Sequence, residues 1–515
     1  MAKLDNTRKW AVVVSILLML SKVFGFIREV LIANRFGASQ ESDLYYAATN
    51  GIIIVMGILG SGLQTTLVPI FTDIKRERGR EGKNKFFASI TSVTLLIATL
   101  LIALVFIFAR PYVRILAAGY EGELHDIVVY LVRLGLPMVL FLCFTYISNA
   151  YLQSDEVYGP HALMGIPYNF IFIIYLLVVK RPTITGLMII TLIASSSQFL
   201  IQIPALRERR AKFYFSPSFK DENVLKTFRL VLPVILSSAV YQLNMLIDKS
   251  LASTLSEGSM SALTYASKVN TMVISVFVVA ITSVVFPKLA NAVSNRDELE
   301  TGRLFSSSLN LVALVVIPSC VGMMILAKPI VEILFQRGRF DELATTLTSG
   351  ALLYYAPGLV GQSFRMPLEN MYYSIKDTKT PMITGIVAVL INIIFNFILI
   401  KFMAHRGLAL ATSISSIASS IILYIVIRKK LPFNELKVLI NLLKIAVASS
   451  IMGIFTKLIY SALIRPVTGR MAMAVVLFVT IFIAILIYVV SAVILKVEDT
   501  DTVIAILKSK LTRRK

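Results

Sequence analysis

Residues 21–48 read SKVFGFIREVLIANRFGASQESDLYYAA and place Lys22, Arg28 and Glu29 inside or at the end of an apolar segment long enough to cross a bilayer. A charge at the bilayer centre costs about 2.5 to 3.5 kcal/mol on insertion scales, so it normally faces protein or a water-filled cavity. The plainer reading is that Lys22 and Arg28 snorkel to an interface. With Trp10 as an interfacial anchor near the start of the run, Lys22 falls near mid-span, which favours the cavity more for Lys22 than for Arg28. At about 100° per residue, Lys22, Gly25, Phe26 and Glu29 share one stripe, and Arg28 lies roughly a third of a turn away. Gly25 has no side chain, so the helix can bend there or admit another backbone. A cationic first helix of this kind is suited to holding an anion.

The rest of the 515-residue chain is of the same character: 57% hydrophobic, 16% charged, with a mean hydropathy of +0.79. Such a composition excludes an ordinary soluble domain and indicates an all-α polytopic membrane protein. At about 20 residues per crossing, fourteen runs are expected, centred near Leu20, Ile58, Ala98, Leu140, Ile171, Leu192, Ser238, Ser275, Ala313, Gly358, Leu390, Ser416, Ser449 and Ile481. The first run is too long, and too charged at its end, for a cleaved signal peptide. Most of the 51 Lys and Arg residues fall in segments that are cytoplasmic if the N-terminus is inside, which predicts that both termini are cytoplasmic. The net charge of +22 then reflects topology and attraction to anionic lipid headgroups. KRERGREGKNK and RERRAK carry no interleaved aromatics, so no nucleic-acid partner is expected.

Asp43 opens the second helix, where it either complements the helix dipole or gates the outer mouth of a cavity; Glu29 is the other gate candidate. From Asn50 to Pro69 the second span is uncharged and carries Gly51, Gly57, Gly60 and Gly62, which suits close packing or movement. Arg133, and Arg365 four residues before Glu369, are expected to be buried pairs. The stretch KPIVEILFQRGRFDELATT (328–346) alternates apolar and charged residues and is expected to form one interfacial helix.

The chain also repeats itself. Pro69 is echoed by Pro287, Pro137 by Pro357, Tyr151 by Tyr373, Pro160 by Pro381 and Gly186 by Gly407, an offset of roughly 220 residues. Six spans per copy give two lobes of the same orientation in pseudo-two-fold repeat around a central cationic cavity. The expected domains are an N-terminal lobe 1–215, a C-terminal lobe 216–432, and residues 433–515 with two extra helices and a tail. Lys268 and Lys249 add cations from the second lobe. Lys444 and Lys457, in the thirteenth span, either snorkel or help shape a lipid-facing groove.

Asn392 and Asn396 share a helix face, and with Thr412 and the carboxylate of Asp248 they supply hard oxygens suited to a monovalent cation such as Na+. The alternative is interhelical hydrogen bonding worth about 0.6 kcal/mol per contact. Cys143 and Cys320 suggest neither disulfide nor metal chemistry. No P-loop lysine motif, HExxH or GxSxG is present, so an ATPase, zinc protease or serine hydrolase is not expected. The chain reads as a transporter without cofactor, driven by a Na+ or H+ gradient or by membrane potential.

SKVFGFIREVLIANRFGASQESDLYYAA, LVPIF, LFQRGRFDE, YSIKDTKTP and GLALATSI, in this order over the first twelve spans, resemble the MviN/MurJ lipid II flippases of the multidrug/oligosaccharidyl-lipid/polysaccharide exporter superfamily. The resemblance implies a two-lobed transporter that moves undecaprenyl-diphosphate-linked disaccharide-pentapeptide to the outer leaflet of the bacterial inner membrane by alternating access. By position it assigns Lys22, Arg28 and Lys268 to the diphosphate, Asp43 to the outer gate, Asp248, Asn392, Asn396 and Thr412 to a cation, and Lys379 to the KTP turn. Met56, Gly57 and Ser61 stand where the family has charged residues, and Ser267 stands for an Asp. Lysine at positions 22 and 268 offers a point charge in place of the arginine fork. Expected partners are lipid II, anionic membrane lipids and the peptidoglycan synthesis machinery, with the chain acting as a monomer. The alternative within the superfamily is an exporter of another polyprenyl-linked saccharide or a drug/cation antiporter.

Overall fold

Long apolar runs can satisfy their backbone in lipid only as helices or closed barrels, and this chain forms helices. The computed structural model describes residues 2–498, and their side chains except at 2–12, at 58, 59, 61, 62, 64 and 65, and at 233–241. Trp10, Ser61 and Gly62, named above, therefore lie outside the described side chains, and the tail 499–515 lies outside altogether. No strand occurs among the described residues.

Ten stretches among the described residues are long and apolar enough to cross a membrane. The expected runs around Leu20, Ile58, Ser238 and Gly358 are outside those ten. The first three lie in helices containing undescribed side chains, and the fourth carries Pro357, Pro367, Arg365 and Glu369.

The chain divides into two compact units, residues 1–261 with 338–340, and residues 262–337 with 341–515. The first contains α1 (Ala2–Phe36), α2 (Gln40–Ile107), α3 (Ala109–Leu116), α4 (Gly122–Gly135), α5 (Met138–Gln153), α6 (Gly159–Leu163), α7 (Gly165–Val178), α8 (Ile184–Leu200), α9 (Ile203–Glu208) and α10 (Glu222–Ser253). Helix α10 packs along α2, which is why it groups here although the sequence repeat places it after residue 215. Helix α1 runs unbroken through Gly25. Helix α2 is two helices joined at Gly79, whose φ of +66° takes it out of helical geometry within the basic run 75–85. Below that break Phe71, Phe86, Phe87 and Tyr151 pack edge to face or tilted, with ring centroids 4.9 to 6.3 Å apart, and form the centre of this unit's core.

The strap 338–340 reaches the first unit between α1 and α2. Arg339 donates its backbone N–H to Asn34 O at 2.9 Å and pairs with Glu41 at 2.6 Å. Gly338, at φ +58°, lies where a Cβ would meet Asn34 O at 2.3 Å, so only glycine fits.

In the second unit α11 (Ser259–Val273), which begins in the first, passes through a π-helical turn Ile274–Val278 into α12 (Val279–Ser294). There follow α13 (Glu298–Ile325), α14 (Ala327–Phe335), α15 (Glu342–Ser374), α16 (Lys379–Met403), α17 (His405–Ile427), α18 (Glu435–Ile464) and α19 (Arg470–Ile494). The single interfacial helix expected over 328–346 is corrected: α14 stops at Phe335, 336–341 turn, and Asp341 caps α15 by accepting from Ala344 N at 2.8 Å. Helices α15 and α17 pack closely; a Cβ on Gly361 would meet the Ile417 nitrogen at 2.5 Å, the small-residue contact expected between helices in lipid. Pro357 interrupts α15, and Ser413 of α17 repairs the ladder one residue on. Its hydroxyl donates to Tyr354 O at 2.5 Å and accepts from Gly358 N at 3.0 Å. The final pair, α18 and α19, packs with α13 through Ala313, Ala448, Met452 and Ala484.

Candidate functional site

The charges of α1 are built into a network within the first unit. Arg28 Nη2 donates to Glu29 Oε1 at 2.6 Å, and Nη1 donates to Asn169 Oδ1 of α7 at 3.1 Å. Neighbours at i and i+1 on a helix point apart, so the pair forms only because the long guanidinium reaches round. Its carbon lies 5.2 Å from the ring centroids of both Tyr168 and Phe172, a cation–π setting. Glu29 Oε2 accepts from Tyr46 OH of α2 at 2.9 Å. Asn169 Nδ2 donates to Ser21 O at 3.1 Å and Gly165 O at 2.7 Å, and Gly25 lies against it. Arg28 Nε is buried with no hydrogen-bond partner among the described residues. Glu29 therefore serves here as the counter-ion of Arg28, a role the sequence did not assign. Lys22 is exposed and takes no part in these bonds.

Asp43 is buried in the first turn of α2 and both of its oxygens are engaged. Oδ2 accepts from Gly258 N and Oδ1 from Ser261 N, each at 2.7 Å. It thus fastens the start of α2 to residues 258–261, which is more than dipole complementation.

The other sequence candidates are distributed. Asp248 and Lys249 lie half-buried on α10 in the first unit; Lys268, exposed on α11, lies in the second. Asn392, Asn396 and Thr412 do come together in the second unit: Asn396 Nδ2 donates to Asn392 Oδ1 at 2.9 Å and Asn392 Nδ2 reaches Thr412 Oγ1 at 3.4 Å. These contacts join α16 to α17 through neutral amide and hydroxyl groups. Lys379 is exposed at the start of α16. The carboxylate that organises the KTP turn is Asp377, which accepts from Lys430 Nζ at 2.6 Å, Thr380 Oγ1 at 2.7 Å and Thr380 N at 3.0 Å. Lys430 and then Thr380 hold its carboxyl well below the usual range. The expected Arg365–Glu369 pair is present at 2.6 Å, but it is half-buried and not buried. Arg133 is corrected: it bonds Phe106 O at 3.1 Å and lies over that ring instead of pairing with a carboxylate.

Sequence reasoning missed a second buried ion cluster. Lys83, 1% exposed, donates to Asp155 at 2.8 Å and to Tyr151 O at 3.0 Å, and Lys75 reaches the same carboxylate at 2.7 Å. Burial would raise the Asp155 pKa, but the hydrogen bonds from Lys75 and Lys83 outweigh it and hold the group below its ordinary value. The signal lay in the repeat, because Asp155 and Asp377 occupy corresponding turns.

The family model described as lipid II flippase MurJ matches residues 32–477. The probable lipid II flippase MurJ of Vibrio cholerae serotype O1 is 28% identical over 430 residues, 81% of this chain and 82% of that protein. The lipid II flippase MurJ of Burkholderia cenocepacia is 25% identical over 423 residues, 80% of this chain and 82% of that protein. Among solved structures, a lipid II flippase MurJ in an inward closed conformation superposes with a TM-score of 0.79 at 26% identity, covering 94% of this chain and 98% of that one. An inward-facing multidrug resistance MATE family transporter of the MOP superfamily gives a TM-score of 0.66 at 17% identity over 82% of this chain and 98% of its own, a likeness of fold alone.

Proposed function

We propose that this chain, which belongs to the lipid II flippase MurJ family, carries lipid II across the bacterial inner membrane and so supplies peptidoglycan synthesis with its precursor. The observation that carries the reading is the family match over residues 32–477. It is a transporter: the substrate leaves chemically unchanged, and the work lies in taking a diphosphate headgroup through hydrocarbon it cannot cross alone.

Arg28 supports a role in gripping that headgroup. Its counter-ion, Glu29, is a neighbouring side chain and not a distant anchor, and its Nε–H is a buried donor without a partner among the described residues. A diphosphate oxygen reaching the guanidinium competes with Glu29 for it, so binding exchanges an internal ion pair for a charge-assisted pair with the ligand. Lys22 and Lys268 are the further cations assigned to the headgroup. Alternating access moves it, with both termini cytoplasmic as the distribution of basic residues suggests. A Na+ or H+ gradient drives the cycle in this reading, Asp248 being its carboxylate and Asn392, Asn396 and Thr412 its neutral oxygens. An ion does so by binding one state more tightly than the other.

The test is depletion of the protein in its host, with labelled lipid II measured in the outer leaflet and wild-type or Arg28→Ala copies supplied back. Loss of outer-leaflet lipid II that only the wild type restores is the expected result. Undiminished lipid II outside, with no second flippase present, would move the assignment to another polyprenyl-linked glycan. Replacing Na+ in vesicle assays, at fixed membrane potential, separates the coupling ion from the substrate.

A further inference from the structure

At the basic end of the first unit a cleft of about 450 Å³ opens between the α2 break and the segment after α9. Arg80 and Lys85 line it from α2, and Arg210 and Lys212 from the opposite wall. Its one acidic lining residue, Glu81, is paired with Lys85 at 3.0 Å, and Asp155 is already held by Lys75 and Lys83. The wall is built: Asn84, buried, donates to Arg210 O at 2.9 Å and accepts from Tyr151 OH at 2.7 Å, holding Arg210 at a left-handed φ of +52°. The cleft thus carries surplus positive charge in a fixed frame, including two guanidinium forks suited to phosphate.

A second observation says where the anion comes from. Lys212 begins an extended strap, KFYFSPSFK (212–220), whose Phe213, Tyr214, Phe215 and Phe219 are all exposed. The strap is fixed rather than loose: Ser216 N donates to Ser92 Oγ at 3.0 Å, and the Phe213 ring meets Phe144 edge-on at 5.6 Å. Aromatic side chains held in the open next to basic ones at the end of a membrane bundle belong at the headgroup level of a bilayer.

We propose that this cleft binds the phosphate of an anionic phospholipid, with the strap's aromatic side chains against its acyl chains. The site is separate from Arg28 and does not depend on what the chain transports. It gives the protein a preference for membranes rich in anionic lipid, beyond the diffuse attraction of its net charge.

The test uses the full chain, purified and delipidated in detergent, titrated with phosphatidylglycerol and separately with phosphatidylcholine, and bound lipid counted by native mass spectrometry. The wild type is expected to prefer phosphatidylglycerol. Arg80→Gln with Arg210→Gln should weaken that binding by about tenfold or more, as for loss of charge-assisted hydrogen bonds to the phosphate, and leave phosphatidylcholine unchanged. Lys401→Gln with Lys429→Gln, an exposed pair elsewhere, should leave it nearly unchanged, since neither side chain lines the cleft. Phe215→Ser with Phe219→Ser should weaken phosphatidylglycerol and leave soluble glycerol phosphate unaffected. Equal loss in the Lys401 and Lys429 control, or none in the Arg80 and Arg210 pair, overturns the site. Glycerol phosphate binding as tightly as the lipid overturns the lipid as its ligand. The substituted side chains are exposed, so loss of fold does not obscure either outcome.

Discussion

A charge taken out of water costs several kcal/mol unless it is paired, and Glu29 is the carboxylate that pairs with Arg28 inside α1. Glu29→Ala leaves that guanidinium stranded among Tyr168, Phe172 and Asn169, and should lower stability by about 3 kcal/mol. Removing both charges in Arg28→Ala/Glu29→Ala should cost less than the single change, because nothing is then left uncompensated. Thermal unfolding of the two variants in one detergent checks this; a double variant less stable than Glu29→Ala would mean Arg28 does not rely on Glu29. The charged members of this site were legible because ionised residues stand out in an apolar run, and Asp43 stood out in the same way. Asn169 and Tyr46 were not, since a neutral amide 141 residues away shows nothing in sequence of which charge it meets. Lys22, read from its place along the helix, is exposed, as both a water-filled cavity and an interface require.

At the scale of elements, the fold depends on how broken helices are mended. Ser413→Ala removes the hydroxyl inserted between Tyr354 O and Gly358 N, leaving a donor and an acceptor buried, and should cost about 1–3 kcal/mol. Chemical unfolding in mixed micelles measures it, with Ser415→Ala, whose hydroxyl bonds only within its own helix at Thr412 O, as the comparison expected to lose less. The second such device is the Asp155 turn. Its carboxyl has a lower pKa folded than unfolded, so it adds stability above the ordinary aspartate value of about 3.9 and loses it as pH falls through the lower folded value. Asp155→Asn should therefore destabilise at pH 7, with the gap to wild type closing below about pH 4. A gap independent of pH would show that the ion cluster with Lys75 and Lys83 adds nothing. Pro357 was visible in the sequence, whereas its repair by Ser413 was not, because that bond joins helices far apart in the chain. The run 328–346 misled for a local reason. Its helical spacing was real on both sides, but Gly338 and the Asp341 cap divide it.

Over the whole molecule the repeat is the feature that sequence and structure share most closely. The turn after α5 bonds Val157 N to Leu152 O with Glu156 at φ +61°, and the turn after α15 bonds Asp377 N to Tyr372 O with Lys376 at φ +60°. By this register Leu152 answers to Tyr372, while the Tyr151 core role is taken in the second unit by Tyr372, one residue from the Tyr373 expected. Proline and glycine positions gave the offset to within two residues because they mark backbone geometry, and side-chain roles drift by a similar amount. Polarity is the remaining whole-molecule property, and one helix decides it. Gln40 opens α2 and Gly79 breaks it, and helix at 1.5 Å per residue separates them by about 58 Å, nearly twice the hydrocarbon thickness. Positions at these two points must face opposite sides. Gln40 and Glu77 are exposed, and both native cysteines are buried, so single introduced thiols report without removing either. If the basic run 75–85 is cytoplasmic, an impermeant maleimide labels Gln40→Cys and not Glu77→Cys in right-side-out vesicles, and inside-out vesicles reverse the pattern. Labelling of Glu77→Cys from outside would put the basic end on the wrong side of the membrane for the orientation proposed here, and the direction of transport would have to be reversed with it.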